Sequence, residues 1–99
     1  MIVSVIYPNR EGARFDSAYY RDHHAKLAAE IWSPDRVELV EGVPMGDAPP
    51  PFALIAQFHF ASPEALGAAM ANPRRGELQA DIANFTDIVP QVMIGRKLG

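Results

Sequence analysis

The sequence predicts an α+β domain in which a four-stranded antiparallel sheet carries helices on one face. Segments rich in apolar and β-branched residues, typical of strands, occur at four places, and segments with helical spacing lie between the first two and the last two. The order is therefore βαββαβ, the ferredoxin-like arrangement, with the second helix split at Asn72. Because 99 residues suffice for one core, residues 1–99 are expected to form a single domain.

The first strand and helix are predicted near the N-terminus. The segment IVSVIY is rich in β-branched residues, and the turn-forming segment PNREG ends it. Asp16 is a natural N-cap for the helix, and Phe15 before it can pack on Tyr20 four residues into the helix. The helix is expected to run to about Trp32, where a Ser-Pro pair follows.

Two strands are predicted in the middle of the chain. Residues 36–45 alternate Val37 and Leu39 with Glu38, which favours a strand with one wetter face. The proline-rich segment GDAPPP then forms a stiff loop that we expect to overhang the mouth of a cavity. The clearest strand spans residues 52–60 and alternates between two sets of side chains. One set is Phe52, Leu54, Ala56, Phe58 and Phe60, and the other is Ala53, Ile55, Gln57 and His59.

The remaining elements are a split helix and a last strand. Ser62 supplies an N-cap, followed by a first-turn proline, for a helix through Ala71. A second helical segment is expected over about residues 75–85, and a strand over about residues 88–96. Pro90 fits an edge strand, because proline cannot donate a hydrogen bond to a neighbouring strand.

The terminal strands are apolar on both faces, whereas the helices can cover only one face of the sheet. These alternating positions are Ile2 and Ile6 against Val3 and Val5, and Ile88, Val92 and Ile94 against Val89 and Met93. A second copy of the same sheet is the most economical cover for the other face, so a homodimer is expected. The alternative is a single open sheet with an exposed apolar face.

Composition excludes several classes of function. A net charge of -3 argues against a nucleic-acid partner, since the basic residues form only short pairs such as Arg74-Arg75. Cysteine is absent, so disulfides, thiolate nucleophiles and zinc ribbons are excluded. The apolar opening is too short to span a bilayer and lacks a basic leader, so we expect a cytoplasmic protein with no membrane partner.

His24 is the first candidate for chemistry. Tyr20, His24, Leu27 and Ile31 follow one stripe of a helix, which turns His24 inward. His23 lies about 100° further round, and we expect it and its neighbour Tyr19 to be the more exposed pair. Desolvation lowers the pKa of an inward imidazole, so His24 would be neutral near pH 7 and able to accept a proton. His24 is therefore a candidate general base.

Asp81 is the second candidate. It lies on or beside an apolar stripe formed by Leu78, Ile82 and Phe85, where a carboxylate needs a partner. A hydrogen bond from His24 to Asp81 would satisfy both groups and orient the imidazole. The alternative is that each is a structural polar group, bonded to backbone atoms.

Aromatic residues supply possible walls for a cavity. Phe58 and Phe60 are compatible either with plain core or with an apolar pocket, and Tyr7 could face the same space. His59 shares a strand face with Gln57 and is more typical of a sheet surface. No metal is expected, because the histidines lack ligand spacing, and no cofactor is expected, because the chain has no phosphate-binding glycine loop or dinucleotide signature.

The sequence resembles the EthD family of small dimeric α+β barrel proteins, named for a component linked to ethyl tert-butyl ether degradation. The resemblance runs nearly end to end, through VIYP, FDSAYYRDHHAKLA, FALIAQFHFASPEALGAAM and ADIANFTD. His24 corresponds to the family's helix histidine, Tyr20 to its upstream tyrosine, and Asp81 and Phe85 to its Asp and Phe near the end. Lys26 departs from the family's usual proline, so the local helix geometry is expected to differ slightly.

The resemblance implies a cavity between helices and sheet. The wider barrel superfamily includes cofactor-independent monooxygenases, lactone isomerases and heme-dependent enzymes. One hypothesis is a cofactor-free oxidoreductase or isomerase acting on a small apolar or aromatic molecule, with His24 as base and Asp81 orienting it. The other is a non-catalytic binding module, or an accessory protein to an oxygenase. Under both, the walls of the cavity are expected to include Tyr7, Tyr20, Phe58, Phe60 and Phe85.

Overall fold

The computed structural model describes all 99 residues and confirms the ferredoxin-like α+β fold. The strands are β1 Ile2–Pro8, β2 Arg36–Glu41, β3 Phe52–His59 and β4 Gln91–Gly95. The first helix spans residues 17–32, the second is Pro63–Met70, and the third is Arg75–Asp81 with a 3-10 turn at Ile82–Asn84. The sheet is antiparallel in the order β2-β3-β1-β4, so β2 and β4 are the edges. None of the helices has the length and apolar character needed to cross a bilayer.

The first helix begins as the sequence predicts. The Asp16 carboxylate accepts a hydrogen bond from the Tyr19 backbone N–H at 3.0 Å, which makes Asp16 the N-cap. The ring of Phe15 lies 5.9 Å from that of Tyr20, confirming their predicted contact across the helix start. The helix ends at Ser33, which adopts a left-handed conformation.

A single π-helical turn at Tyr20–His24 interrupts this helix. A π turn holds more residues than an α turn, so it rotates every later side chain around the axis. Beyond His24 the buried residues are therefore Ala25, Ala28 and Ile31, while Leu27 is only half-buried. The predicted stripe was right at Tyr20, His24 and Ile31 and wrong in assigning a full inner position to Leu27.

Two strands are shorter than the sequence predicts. β2 ends at Glu41 instead of residue 45, because Gly42 approaches the Phe52 carbonyl too closely for a Cβ and Pro44 has no N–H to donate. β4 starts at Gln91 instead of residue 88. The Ile88 N–H is bonded to the Thr86 hydroxyl at 3.0 Å, and pairing begins only after Pro90.

The two faces of the sheet differ in cover. The helices pack on the face formed by Val3, Val5 and Tyr7 of β1 with Leu54, Ala56 and Phe58 of β3, all of which are buried. The opposite face carries three rows across the strands. These rows are Val40, Ile55, Ile6 and Gln91; Glu38, Gln57, Ser4 and Met93; and Arg36, His59, Ile2 and Gly95. No element of the chain covers this outer face.

Candidate functional site

A cavity of about 430 Å³ lies between the sheet and the helices. Ten of its 15 lining residues are hydrophobic, including Val5, Trp32 and Leu78. Its polar groups are the hydroxyls of Tyr7 and Tyr20, the imidazole of His24 on the first helix, and the side chains of Arg75 and Gln79 on the third helix. A mostly apolar pocket of this size with a few polar groups is typical of sites for small organic molecules.

The cavity brings together most of the residues singled out from the sequence. Tyr7, Tyr20, His24 and Phe58 all line it. Phe60 is buried but does not face the cavity, and the ring of Phe85 lies behind the imidazole instead of in the wall. Of the five predicted wall residues, three face the cavity together with His24, and two belong to the surrounding core.

His24 and Asp81 form the hydrogen bond that the sequence suggests. The His24 Nδ1 atom lies 2.8 Å from the Asp81 Oδ2 atom, and the imidazole is only 6% exposed. The other carboxylate oxygen, Oδ1, accepts from the Tyr19 hydroxyl at 2.7 Å and from the Asn84 side-chain amide at 2.9 Å. Both oxygens of Asp81 are therefore occupied, which fixes the carboxylate behind the imidazole.

Two aromatic rings pack against the imidazole. The ring centroid of Phe85 lies 4.6 Å from that of His24, and the ring of Tyr20 lies 5.1 Å from it. Phe85 also packs edge-on against Tyr7 at 5.8 Å and Tyr20 at 5.1 Å. The imidazole can neither tilt nor flip without disturbing this cluster, so its Nε2 edge keeps one direction.

Burial sets the protonation states of the pair. It lowers the pKa of His24 below the ordinary value, and the hydrogen bond to Asp81 opposes this shift without cancelling it. Burial alone would raise the pKa of Asp81, but hydrogen bonds from Tyr19, Asn84 and His24 hold it below the usual range. At neutral pH the pair is thus a neutral imidazole beside a carboxylate. In that state Nδ1–H donates to Asp81, and Nε2 carries a free lone pair.

The two cavity tyrosines stay protonated under the same conditions. Burial raises the pKa of Tyr7 to about 12, with the neighbouring Tyr20 opposing the shift. Burial also raises the pKa of Tyr20, and Tyr7 adds to that shift. Both hydroxyls are consequently neutral groups that can donate or accept hydrogen bonds within the cavity.

Several polar groups lie away from the cavity. His59 is on the outer face of the sheet, where its Nε2 atom is 3.0 Å from the Glu38 carboxylate. The loop prolines Pro50 and Pro51 border a separate, smaller pocket. The expectation that this loop overhangs the main cavity is therefore wrong, because none of its residues lines that cavity. The chain assembles no group of three or more His, Asp or Glu side chains that could hold a metal ion.

Comparison with known proteins supplies the family. The model of the EthD domain matches residues 12–88, which include the whole first helix and the His24–Asp81 pair. This chain belongs to the EthD family. The crystal structure of an EthD-like protein from Ralstonia eutropha shares 36% sequence identity, covering 93% of this chain and 86% of that one, with a TM-score of 0.83.

Two more distant structures share the fold of this EthD domain. An ethyl tert-butyl ether degradation (EthD) family protein from Bacillus halodurans is 20% identical, covers 98% of this chain and 97% of its own, and has a TM-score of 0.75. SnoaB, a cofactor-independent oxygenase from Streptomyces nogalater, is 12% identical over 98% of this chain and 92% of its own, with a TM-score of 0.50. No curated protein matches the chain.

Sequence reasoning missed two members of the hydrogen-bond network in this EthD domain. Tyr19 was expected to be an exposed neighbour of His23, yet it is half-buried and bonded to Asp81. The π turn explains the error, because a strict period of 3.6 residues does not apply across it. Asn84 lies three residues after Asp81, and this helical spacing was a usable signal for their contact.

Proposed function

We propose that this EthD domain binds a small apolar or aromatic molecule in its cavity and removes a proton from it through His24. The observation that carries the proposal is the geometry of one side chain. His24 lines an apolar cavity, its Nδ1 atom is held by Asp81, and no group of the chain bonds its Nε2 atom. An oriented, neutral imidazole with one free nitrogen is the arrangement required of a general base.

The proton transfer follows from these positions. An acidic O–H or C–H group of the ligand gives its proton to Nε2, and the bonding electron pair stays on the ligand as an anion. The imidazolium that forms is stabilised by the Asp81 carboxylate 2.8 Å away. Tyr7 and Tyr20 supply neutral hydroxyls to the same cavity, where they can donate hydrogen bonds to the developing anion.

Two reaction classes can complete this step without a protein cofactor. In an isomerase, the proton returns to a different atom of the same ligand. In an oxidoreductase, the carbanion or its enolate transfers electrons to dioxygen, which is then the co-reactant. The structural likeness to SnoaB, a cofactor-independent oxygenase, supports the second class at the level of the fold alone.

Proton exchange on a model ligand tests the proposal. We would incubate the protein with 2-tetralone, an aromatic ketone with acidic C–H groups, in D₂O and follow deuterium incorporation by NMR. Wild-type protein should accelerate exchange, and His24→Asn should remove about 100-fold or more of that acceleration, because amide nitrogen cannot take up the proton. His23→Asn, which alters the adjacent exposed histidine, should exchange at the wild-type rate.

Folding and binding measurements separate the alternatives. Urea melts of both variants would show whether the loss of exchange comes from unfolding, since a purely structural His24 predicts lost stability with normal exchange in the folded fraction. If wild-type protein binds 2-tetralone and related ketones without accelerating their exchange, the proton-transfer proposal is wrong. A ligand-binding or accessory role would then account for the cavity.

A further inference from the structure

Two neighbouring arginines at the start of the third helix have different surroundings. Arg74 is held by two carboxylates, with its guanidinium 2.7 Å from Glu77 and 3.0 Å from Glu30. Arg75 lines the cavity with a solvent-exposed side chain, and no hydrogen bond or ion pair with any side chain of the protein engages its guanidinium. One arginine therefore has a structural partner, and its neighbour has none.

Arg75 dominates the charge of the cavity. No carboxylate lines the cavity, and the one other ionisable base in its wall, His24, is neutral near pH 7. Asp81 lies behind the imidazole and does not face the cavity. A ligand in the cavity therefore meets mostly apolar walls and one positively charged side chain, that of the solvent-exposed Arg75.

A second unpartnered polar group accompanies this charge. Gln79 follows Arg75 by one helical turn, also lines the cavity, and makes no side-chain hydrogen bond within the protein, so its exposed amide is free to bind a ligand in place of water. Residues four apart on a helix lie on the same side, so the amide and the guanidinium can bind one ligand group together. Gly76, between them, also lines the cavity and leaves the space beside its Cα open.

We propose that Arg75, assisted by Gln79, binds an anionic oxygen group of the ligand, which makes the preferred ligand a small aromatic or apolar molecule with one carboxylate or ionised hydroxyl. The proposal rests on ligand binding in the cavity, as set out above, and adds the chemical class of that ligand. Guanidinium suits such a group because its parallel N–H donors match two oxygens at once. Gln79 would contribute a neutral donor that tolerates several oxygen positions.

The two oxygen groups differ in where the charge arises. A carboxylate arrives already ionised, whereas a phenol or enol becomes an anion only when His24 takes its proton. Arg75 would serve both, by holding the first in place or by stabilising the second as it forms. This links the third helix to the proton transfer on the first.

Matched ligands and matched variants test the assignment. Binding of 1-naphthoate and its neutral analogue 1-naphthamide would be titrated against wild-type protein, Arg75→Gln and the control Arg74→Gln. We expect wild-type protein to prefer the carboxylate, and Arg75→Gln to weaken its binding about tenfold while leaving 1-naphthamide unaffected. Arg74→Gln removes the same charge next door, outside the cavity, and should leave both affinities unchanged.

A third ligand, 1-naphthol, identifies the source of the anion. If it binds with the absorption spectrum of the naphtholate, and Arg75→Gln abolishes that spectrum, the anion is formed in the cavity and Arg75 stabilises it. If only 1-naphthoate depends on Arg75, the preferred ligand is a preformed carboxylate. Either result supports the assignment.

The opposite results are equally distinct. If Arg75→Gln changes the affinity of neither 1-naphthoate nor 1-naphthol, the proposed role of Arg75 is wrong. Ligand binding in the cavity would still stand. An equal effect of Arg74→Gln and Arg75→Gln would also overturn it, because general surface charge would then be the cause. Failure of charged and neutral compounds alike to bind wild-type protein would overturn the proposed function together with this inference.

Discussion

The helix-covered face of the sheet and its uncovered face each have a histidine beside a carboxylate. On the covered side, the His24 Nδ1 atom lies 2.8 Å from Asp81, and on the uncovered side, the His59 Nε2 atom lies 3.0 Å from Glu38. The distances are similar, but the surroundings are not. Asp81 is bonded on both oxygens, by the buried His24, the half-buried Tyr19 and the exposed Asn84, whereas Glu38 is exposed and shared with Arg36 at 2.9 Å.

The comparison shows that a carboxylate partner alone does not make a histidine a candidate base. His24 is 6% exposed, is held by aromatic rings and faces a cavity. His59 lies in a row of polar and apolar residues on an open surface, where water competes for its contact with Glu38. Burial and a space for a ligand are what distinguish the first histidine, and both are properties of the covered face.

The largest expected effect comes from removing the ring that backs His24. Phe85→Ala deletes a side chain with 0% exposure from a cluster of five other aromatic groups and should lower the free energy of unfolding by about 3–5 kcal/mol. Phe52→Ala, the same substitution at a ring that is 39% exposed, should cost much less. Urea denaturation followed by circular dichroism measures both. Equal losses of stability would mean that the surroundings of Phe85 and of Phe52 are packed alike.

The second prediction concerns what covers the outer face. We propose a second copy of the chain, because the row of Val40, Ile55 and Ile6 is apolar and no element covers it. Static light scattering at micromolar concentration should give twice the chain mass. Ile55→Glu should shift the protein toward monomer by about tenfold or more in dissociation constant, since it places a charge in the row. Ala68→Glu, on an exposed part of the second helix, should leave the mass unchanged.

A monomeric wild-type protein would contradict this prediction. So would a dimer that forms equally well with Ile55→Glu, because the contact would then lie elsewhere.

The smallest effect is a pH dependence of stability that arises from the covered histidine. Burial lowers the pKa of His24 below its ordinary value of 6.5, so the unfolded chain takes up a proton at a higher pH than the folded protein does. The stability of the wild-type protein should therefore fall as the pH decreases from about 7 to about 5. Asp81, whose pKa is held below its ordinary value of 3.8, should add a further loss in more acidic solution.

Variants assign this dependence to one imidazole. Urea melts at several pH values should show a shallower decline in His24→Asn, because the group with the shifted pKa is gone. His23→Asn should keep the wild-type decline, since His24 is intact. A decline of unchanged steepness in His24→Asn would show that His24 does not titrate as its burial implies.

Local sequence patterns were sufficient for much of the covered face. Period-two alternation placed Leu54, Ala56 and Phe58 on one face of β3, which the structure buries, and the N-caps Asp16 and Ser62 located two helix starts. These features depend on neighbours within a few residues, which is why the sequence predicts them. The pairing of His24 with Asp81 was also anticipated, because two polar groups on apolar stripes need partners.

Contacts between distant segments were decided by the tertiary structure. The π turn at Tyr20–His24 brought Tyr19 onto Asp81, 62 residues away in sequence, and no local period encodes that contact. The start of β4 at Gln91 depended on Ile88 being buried in the core instead of pairing with a strand. The adjacent arginines Arg74 and Arg75 have different partners, which local sequence does not predict. Glu30 and Glu77 both bind Arg74, whereas Arg75 lies at the cavity without an ion pair. Within regular strands and α-helical turns, the sequence by itself determined which side chains share a face, through their spacing along each element. Only packing determined which of them meet, because that depends on how separate elements are placed in space.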